Sequence, residues 1–265
     1  MTVVLASHIG NSRQNHEDNA IVFKSYLKRE QVEDMAVKRK ACFAETKFDT
    51  GRMNTLIAVC DGMGGHSSGE VASCMTVKHL ADNHDRIVRG GCSEIAKEIS
   101  SISNAVLQMG RSDPSCRGMG ATLCGLILKQ GSFIGFNVGD SRMYRFVDGA
   151  LSRLTKDHTE GQRLYDLGLL SDEEIKTFPK RKALYKFIGT EGEMISDVFE
   201  LHAENLRGVF LLCTDGLCDV LSDDEIRSVL ENDEPLKAKA ERMISLALSR
   251  KAGQGDNITL ILLEN

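Results

Sequence analysis

Six short segments rich in Val, Ile, Leu and Phe constrain the fold of this chain most. They cover residues 56–60, 123–128, 133–138, 142–147, 209–213 and 258–263. Each is far shorter than the ~20 apolar residues that a membrane-spanning helix needs. Their length and composition are typical of buried β-strands. The turn-forming pair Gln130-Gly131 separates residues 122–129 from 132–138, which predicts a hairpin with antiparallel strands.

Three longer segments have the apolar spacing of amphipathic helices. They are residues 70–81, 93–109 and 237–248. We expect Ser93 to cap the second of these helices. Ser171 and Ser222 each precede a glutamate by three residues, a capping box that predicts two further helix starts. Because helices and strands do not alternate regularly, the sequence predicts a layered α+β sandwich.

Composition narrows the range of partners. The chain has 33 basic and 38 acidic residues, for a net charge of −5, which argues against nucleic acid or a membrane as the main partner. It has three prolines and no low-complexity linker, so we expect one domain over residues 1–265. Residues 24–54 are polar and charged without a clean period, and they are interpreted as a solvated surface excursion or a hairpin extension in preference to a nucleic-acid patch.

The eight cysteines form no C-x-x-C pair, and several lie inside apolar segments. They are therefore interpreted as buried free thiols. The first eight residues also lack the basic and apolar regions of a secretory signal. Both observations predict a cytoplasmic location, where thiols stay reduced.

Several aspartates lie where an apolar segment ends or begins, beside residues that form tight turns. They are Asp18, Asp61, Asp140, Asp215 and Asp256. If the strands share sheets, these side chains can meet at one rim, where their repulsion requires a counter-charge. All-oxygen ligands favour Mg²⁺ or Mn²⁺ over zinc, and a glycine such as Gly62 offers an unhindered carbonyl. A single Asp-Gly pair is ordinary turn chemistry, so spacing alone leaves the convergence open.

Seven short motifs follow one another along the chain. They are Arg13-Gln-Asn-His-Glu-Asp-Asn19, Asp61-Gly-Met-Gly-Gly-His66, Gly118-Met-Gly-Ala-Thr122, Val138-Gly-Asp-Ser-Arg142, Leu154-Thr-Lys-Asp-His158, Leu212-Cys-Thr-Asp-Gly-Leu217 and Gly255-Asp-Asn-Ile-Thr259. Each motif alone is weak, but the ordered set resembles the metal-dependent phosphatases of the protein phosphatase 2C (PPM) family, bacterial type. The resemblance runs nearly from end to end.

The resemblance implies a four-layer α-β-β-α sandwich, in which two stacked antiparallel sheets are flanked by helix pairs. It implies hydrolysis of phosphoserine and phosphothreonine monoesters on proteins. Residues 159–192 resemble the flap segment of the family, where substrate choice would be made. The basic side chains of this segment are interpreted as a solvated cationic surface in preference to a contact for an acidic phosphopeptide.

The resemblance also implies which residues hold the metal ions, Mn²⁺ or Mg²⁺. Asp61 would bridge two ions, and Gly62 would supply its carbonyl oxygen. Asp215 and Asp256 would hold one ion, while Asp18 would support the other side. Asp140 would join Asp215 in a third, weaker site.

The implied chemistry needs no protein nucleophile. Two cations roughly 3.5–4 Å apart lower the pKa of a shared water and hold it in line with phosphorus. Arg13 would bind two phosphate oxygens with its planar guanidinium. Arg13 and the bridging Asp61 are thus the predicted catalytic residues, and Glu17 would act through metal-bound water.

Two positions, Met63 and His66, leave the identity of the proton donor to the leaving group open. Met63 stands where animal members have a histidine, and a thioether cannot donate a proton. His66 is a weak candidate, and metal-bound water is preferred. His16 replaces the usual asparagine of the family, with an effect on the support of Arg13 or with none. His158 is expected to fix a loop.

Two rival functions remain at this point. One is a non-catalytic member that binds phosphoproteins, although Asp61, Asp215 and Asp256 are all present. The other is a phosphatase of a small phosphorylated metabolite. The preferred hypothesis is a monomeric protein phosphatase that acts on phosphorylated protein substrates and opposes a serine/threonine kinase.

Overall fold

A computed structural model describes residues 1–49, 54–64, 68–202, 206–250 and 255–265. The strands in these ranges are β1 (Thr2–His8), β2 (Asn19–Val22), β3 (Ser25–Tyr26), β4 (Cys42–Lys47), β5 (Thr55–Cys60), β6 (Gly62–Met63), β7 (Gly120–Ala121), β8 (Leu123–Lys129), β9 (Ser132–Val138), β10 (Arg142–Val147), β11 (Ala150–Arg153), β12 (Asp197–His202), β13 (Val209–Cys213) and β14 (Ile258–Glu264). The helices are α1 (Arg29–Lys38), α2 (Ser68–Asp82), α3 (His84–Ile87), α4 (Cys92–Ser112), α5 (Glu160–Asp166), α6 (Asp172–Thr177), α7 (Asp215–Cys218), α8 (Asp223–Glu231) and α9 (Leu236–Ser249), with a 3-10 turn at Pro114–Cys116. All six predicted apolar strands are confirmed.

The described strands form two antiparallel sheets and a small two-stranded one. The first sheet has the order β11-β10-β13-β14-β1-β4, and the second has the order β12-β9-β8-β5-β2-β3. The small sheet pairs β6 with β7. The predicted hairpin is confirmed, since Lys129 pairs with Ser132 across a turn in which Gly131 has a φ of 80°.

Three apolar layers alternate with the sheets and helices. Val3 and Leu5 face the space between the two sheets, whereas Val4 and Ala6 face α9. On β5, Ile57 turns toward the same inter-sheet core, and the residues on either side of it pack toward α2 and α4. Because β5 is buried on both faces, its sequence is a continuous apolar run and not an alternating one. The predicted four-layer sandwich is confirmed.

The helix α4 differs from its prediction at the start. It begins at Cys92, and Gly91 is the capping residue, whose backbone N–H donates to the Glu94 carboxylate at 3.0 Å. The prediction of Ser93 as the cap was therefore wrong, because the extended Gly91 lets the glutamate fold back over the first turn. Among the described residues, no helix combines the length and apolar character needed to cross a bilayer.

The remaining helix predictions agree with the structure. The helices α2 and α9 cover the segments whose apolar spacing predicted them. Ser171 and Ser222 each form the predicted capping box, with the glutamate carboxylate accepting from the serine N–H at 2.9 Å. The caps thus define where α6 and α8 begin.

Residues 24–54 contain more regular structure than predicted. They form α1 and the edge strand β4, which pairs with β1. The segment was predicted to be a solvated surface excursion or a hairpin extension. In its described residues β4 and α1 are largely exposed, and Met35 is the buried side chain of α1. Residues 50–53 lie outside the described part of the chain.

All eight cysteines are free thiols. Five of them are buried, namely Cys60, Cys116, Cys124, Cys213 and Cys218. Cys42, Cys74 and Cys92 are partly exposed. The prediction of free thiols is confirmed, and burial holds for the five that lie in the core layers.

Candidate functional site

The register of the second sheet brings three predicted carboxylates to one edge. Asn19 pairs with Cys60, so Asp18 just before β2 and Asp61 just after β5 are neighbours. The strand β9 ends at the same edge, and Asp140 follows it by two residues. The convergence that spacing alone left open is therefore a consequence of antiparallel pairing.

Asp215 and Asp256, which flank strands of the first sheet, lie at the same edge. Cys213 pairs with Leu260, which puts Asp215 after β13 close to Asp256 before β14. The loop from β1 to β2 carries Arg13 and crosses this edge. Strand ends from both sheets thus contribute to a single site.

Asn257 ties these loops together and was not singled out by the sequence analysis. Its amide donates to the carbonyls of Ile9 at 2.8 Å and Asn15 at 3.1 Å, and its oxygen accepts from the Glu17 N–H at 2.7 Å. A buried amide that satisfies three backbone groups fixes the path of the loop between them. Asn257 therefore holds the Arg13 loop against the Asp256 loop.

The gathered side chains line a cavity of about 400 Å³. Its lining residues are Arg13, Glu17, Asp61, Gly62, Met63, Gly64, Thr122, Asp140, Lys182, Leu184, Phe187, Asp215 and Asp256. Five carboxylates thus face two cations, which makes the cavity strongly electronegative. Asp18 does not line it but is buried behind it, beside a second cavity of about 280 Å³.

Burial and mutual repulsion raise the pKa values of four aspartates at the centre, Asp18, Asp61, Asp140 and Asp215. Burial raises the pKa of Asp18 to about 8, and Asp215 and Asp256 reinforce the shift. The pKa of Asp140 is about 8 and that of Asp215 about 6, in both cases from burial first and neighbouring carboxylates second. The pKa of Asp61 is raised well above its ordinary value by the same causes. The site therefore favours a proton or another positive charge.

The donor set fits a hard divalent cation. The Oδ1 atom of Asp215 is buried and has no hydrogen-bond partner in the described part of the chain. Gly62 is packed so tightly that an added Cβ would lie 2.1 Å from the Gly69 carbonyl oxygen. Buried carboxylate and carbonyl oxygens without enough donors are what Mg²⁺ or Mn²⁺ would satisfy.

Arg13 and Asp256 bind each other in this structure. The guanidinium donates from Nε to Asp256 Oδ1 at 2.8 Å and from Nη2 to Oδ2 at 2.9 Å. This bidentate pair raises the pKa of Arg13. Within the described residues, no three His, Cys, Asp or Glu side chains already enclose an ion position. The predicted ligands are thus gathered, with Asp256 turned to Arg13.

Threonine hydroxyls position the two innermost aspartates. Thr214 donates to Asp18 Oδ2 at 2.8 Å. The Thr122 hydroxyl accepts from the Asp61 N–H at 2.9 Å, and the Asp61 carbonyl accepts from the Thr122 N–H at 2.8 Å. Both threonines lie in predicted motifs, but only the structure reveals these contacts.

The histidines take structural positions. His158 Nδ1 accepts from the Gly139 N–H at 2.9 Å, so it fixes the loop that carries Asp140, as predicted. His16 is buried and contacts the Ser7 hydroxyl at 2.8 Å through Nε2, and burial lowers its pKa to about 4. His66 lies outside the described residues.

The predicted flap, residues 159–192, folds onto the site. It contains α5 and α6, and Ile188 near its end bridges to Ala121 beside the cavity. Lys176 pairs with Glu173 at 2.9 Å, Lys186 with Asp197 at 3.1 Å, and Lys182 with Asp219. Ion pairs within the protein therefore account for several of the flap cations.

The tight packing at Gly62 gives a direct prediction. Replacing it by alanine (Gly62→Ala) should destabilise the protein by about 1–3 kcal/mol, because the new Cβ must displace backbone of Glu17 and Gly69. We expect phosphatase turnover to fall as well. Gly131→Ala is the control, since its strain of about 1–2 kcal/mol comes from a positive φ in an open turn. Equal turnover of the two variants in a phosphate-release assay would contradict this account.

A two-sheet sandwich with a carboxylate-lined cavity at one edge defines the class of phosphatase that the motifs predicted. A sequence profile of the protein phosphatase 2C family matches residues 41–254. The serine/threonine phosphatase Stp of Listeria welshimeri is 32% identical over 222 residues, which are 82% of this chain and 87% of that relative. The chain belongs to the protein phosphatase 2C family, and the predicted enzyme class, a phosphoprotein phosphatase, is confirmed.

Solved structures share the fold. The serine/threonine phosphatase of S. agalactiae has a TM-score of 0.81 at 24% identity, with 100% of both chains covered. The catalytic domain of the serine/threonine protein phosphatase PstP, in complex with 2 manganese ions, has a TM-score of 0.73 at 28% identity. That likeness covers 99% of this chain and 98% of the PstP chain. The predicted α+β architecture is thus seen in known members of the family.

Proposed function

We propose that this chain hydrolyses phosphoserine and phosphothreonine monoesters on proteins with the help of two divalent cations, Mn²⁺ or Mg²⁺. The observation that carries the proposal is the convergence of buried carboxylates with raised pKa values around the unpartnered Oδ1 of Asp215. The two manganese ions in the PstP structure support it. Such ions, when bound, supply a water of lowered pKa and neutralise charge on the phosphate.

The residues that would hold the ions follow from the geometry of the cavity. Asp61 is buried among the carboxylates that the two sheets bring to this edge. It would bridge the ions, with the Gly62 carbonyl beside it. Asp215 and Asp256 would bind one ion, which requires Asp256 to give up its pairing with Arg13. Asp18, buried behind the cavity, would support the other side of the metal centre. Asp140 would join Asp215 in a third, weaker site.

Arg13 would then be free to bind the substrate. Its guanidinium is half exposed at the mouth of the cavity, and its planar fork matches two phosphate oxygens. Bound there, it would orient the phosphoryl group and offset charge that grows on its oxygens in the transition state. Arg13 would therefore leave the Asp256 carboxylate and bind the phosphate of the substrate.

This role predicts the effect of removing the guanidinium. Arg13→Ala should raise the KM for a phosphothreonine peptide by at least about tenfold, because it loses a charged contact of about 1.5–3 kcal/mol. Arg13→Lys should restore only part of this loss, since lysine keeps the charge but not the fork. Mn²⁺ affinity measured by calorimetry should not decrease in Arg13→Ala. An unchanged KM, or a loss of metal affinity, would count against this role.

The proposal extends to the domain, the oligomeric state and the location of the protein. We infer a single catalytic domain over residues 1–265, a flap at residues 159–192, and a monomeric protein that works in the cytoplasm against a serine/threonine kinase. The eight free thiols, five of which are buried, are compatible with a reducing compartment. The net charge of −5 argues against nucleic acid as a partner.

The experiment that tests the proposed function is phosphate release from phosphothreonine and phosphoserine peptides, with Mn²⁺ and then with chelator. We expect turnover with Mn²⁺ or Mg²⁺ and none after chelation. Small phosphorylated metabolites are assayed beside the peptides. Faster turnover of a metabolite than of any peptide would overturn the assignment of a protein substrate, and a folded, metal-loaded protein without turnover would indicate a non-catalytic binding role.

A further inference from the structure

A third cavity, of about 650 Å³, lies beside the catalytic one. It runs between the end of α4, the loop that follows the turn at Pro114–Cys116, and the end of the flap. Its apolar wall is formed by Leu107, Pro114, Met119 and Phe187. Two arginines, Arg111 and Arg117, stand along its rim. We call this cavity the α4 groove.

The α4 groove lies next to the catalytic cavity. Phe187 lines both of them. The boundary is closely packed, since a Cβ on Gly120 would lie 2.6 Å from the Phe187 ring and 2.8 Å from the Met63 methyl group. A peptide that extends from the catalytic cavity across Phe187 would therefore reach the groove.

The floor of the groove is held rigidly. Ile188 is fully buried and exchanges two backbone hydrogen bonds with Ala121, at 2.7 and 3.0 Å. The next residue, Gly189, donates its N–H to the Ser103 hydroxyl of α4 at 2.9 Å. A preformed surface of this kind binds an extended peptide with little loss of its own conformational freedom.

The charge of the rim selects the kind of peptide. Arg111 is paired with Glu191 at 3.1 Å, and both side chains are more than half exposed. Arg117 is exposed, and no ion pair or side-chain hydrogen bond joins it to another residue in the described part of the chain. The catalytic cavity is acidic, so Arg117 is a distinct positive point on the path away from it. An acidic side chain is its natural complement.

We propose that the α4 groove binds the substrate chain next to the phosphorylated residue, and that Arg117 selects an acidic side chain there. The proposal rests on the proposed function, because it assigns the peptide that flanks the phosphate. Apolar contacts with the groove wall hold the peptide, and Arg117 supplies the preference for charge. Arg117 is thus a specificity-determining residue of the phosphatase.

The test compares phosphothreonine peptides that differ at one flanking position, where each carries Asp, Ala or Lys in turn. For the wild-type protein with Mn²⁺, we expect kcat/KM to favour Asp over Lys by about threefold to tenfold at one or more positions. In Arg117→Glu this preference should reverse at the same positions. Arg89→Glu is the matched control, because it makes the same charge change at an exposed site near the opposite end of the 21-residue α4, about 30 Å away. It should keep the wild-type preference.

A binding measurement separates this proposal from the proposed function. Peptides with a non-hydrolysable phosphonate in place of the phosphate are titrated by fluorescence anisotropy, so that no turnover is needed. The same reversal of preference in Arg117→Glu supports the groove even if the protein proves non-catalytic. An Asp-to-Lys preference that is absent from the wild type, or identical in Arg117→Glu and Arg89→Glu, overturns the proposal while leaving the phosphatase assignment intact.

Discussion

Replacing Asp61 by asparagine should abolish phosphatase turnover without unfolding the protein. Asp61 is buried at the centre of the carboxylate cluster, between Asp18 and Asp215. We expect turnover to fall by more than about 100-fold, because even residues that only support a metal ligand typically contribute 10- to 100-fold. Since the carboxyl has a strongly raised pKa, a neutral amide relieves repulsion. The melting temperature in chelator at neutral pH should therefore equal or exceed that of the wild type.

The matched control for this variant is Asp82→Asn. Asp82 is exposed on α2 and pairs with Lys78, four residues earlier. The same chemical change at this surface site should leave turnover within a factor of about two. Retention of turnover by Asp61→Asn, or its failure to fold in chelator, would contradict the central position assigned to this carboxylate.

The stability of the chelated protein should fall as the pH rises from about 4 to about 8. The pKa values of Asp18 and Asp140 are about 8 and that of Asp215 is about 6 in the folded protein, against an ordinary value of about 3.9 in an unfolded chain. Between these limits the folded state binds more protons than the unfolded state, so raising the pH favours unfolding. Urea denaturation in chelator at several pH values measures this slope.

Mn²⁺ should reverse that slope. A cation binds the ionised carboxylates only when the fold brings them together, so it stabilises the folded state increasingly as the pH approaches 8. Asp61→Asn should show a shallower slope in chelator and a smaller gain from Mn²⁺. A free energy of unfolding in chelator that is constant or that rises between pH 5 and pH 8 would show that ionisation of the buried carboxyls does not destabilise the folded protein.

The central strands were predictable because they are buried on both sides. Continuous apolar runs such as those of β13 and β14 allow few other structures. The edge strand β4 was not predictable, since its exposed face carries Glu45 and Lys47 and its pairing with β1 is visible only in the folded sheet. The start of α4 was missed for a local reason, because Gly91 caps it through Glu94 and not through a serine side chain.

The candidate site was predictable in part. The aspartates were identified by their positions at strand ends, but their convergence depends on register, which single strands do not encode. The partners that hold the site together were missed for the same reason. Thr214 binds Asp18 across 196 residues of sequence, and Asn257 reaches the Glu17 loop across 240. Likewise, the pairing of Arg13 with Asp256 could not be expected from either motif alone.

The most direct test of the account is the location of manganese in crystals of the active protein grown with Mn²⁺. Anomalous scattering identifies the ions without reference to any assumed ligand. We predict two strong peaks beside Asp61, one of them also bound by Asp215 and Asp256, with Arg13 released from Asp256. Peaks remote from Asp61, or an Arg13–Asp256 pair that persists in manganese-dependent, active protein, would contradict the site proposed here.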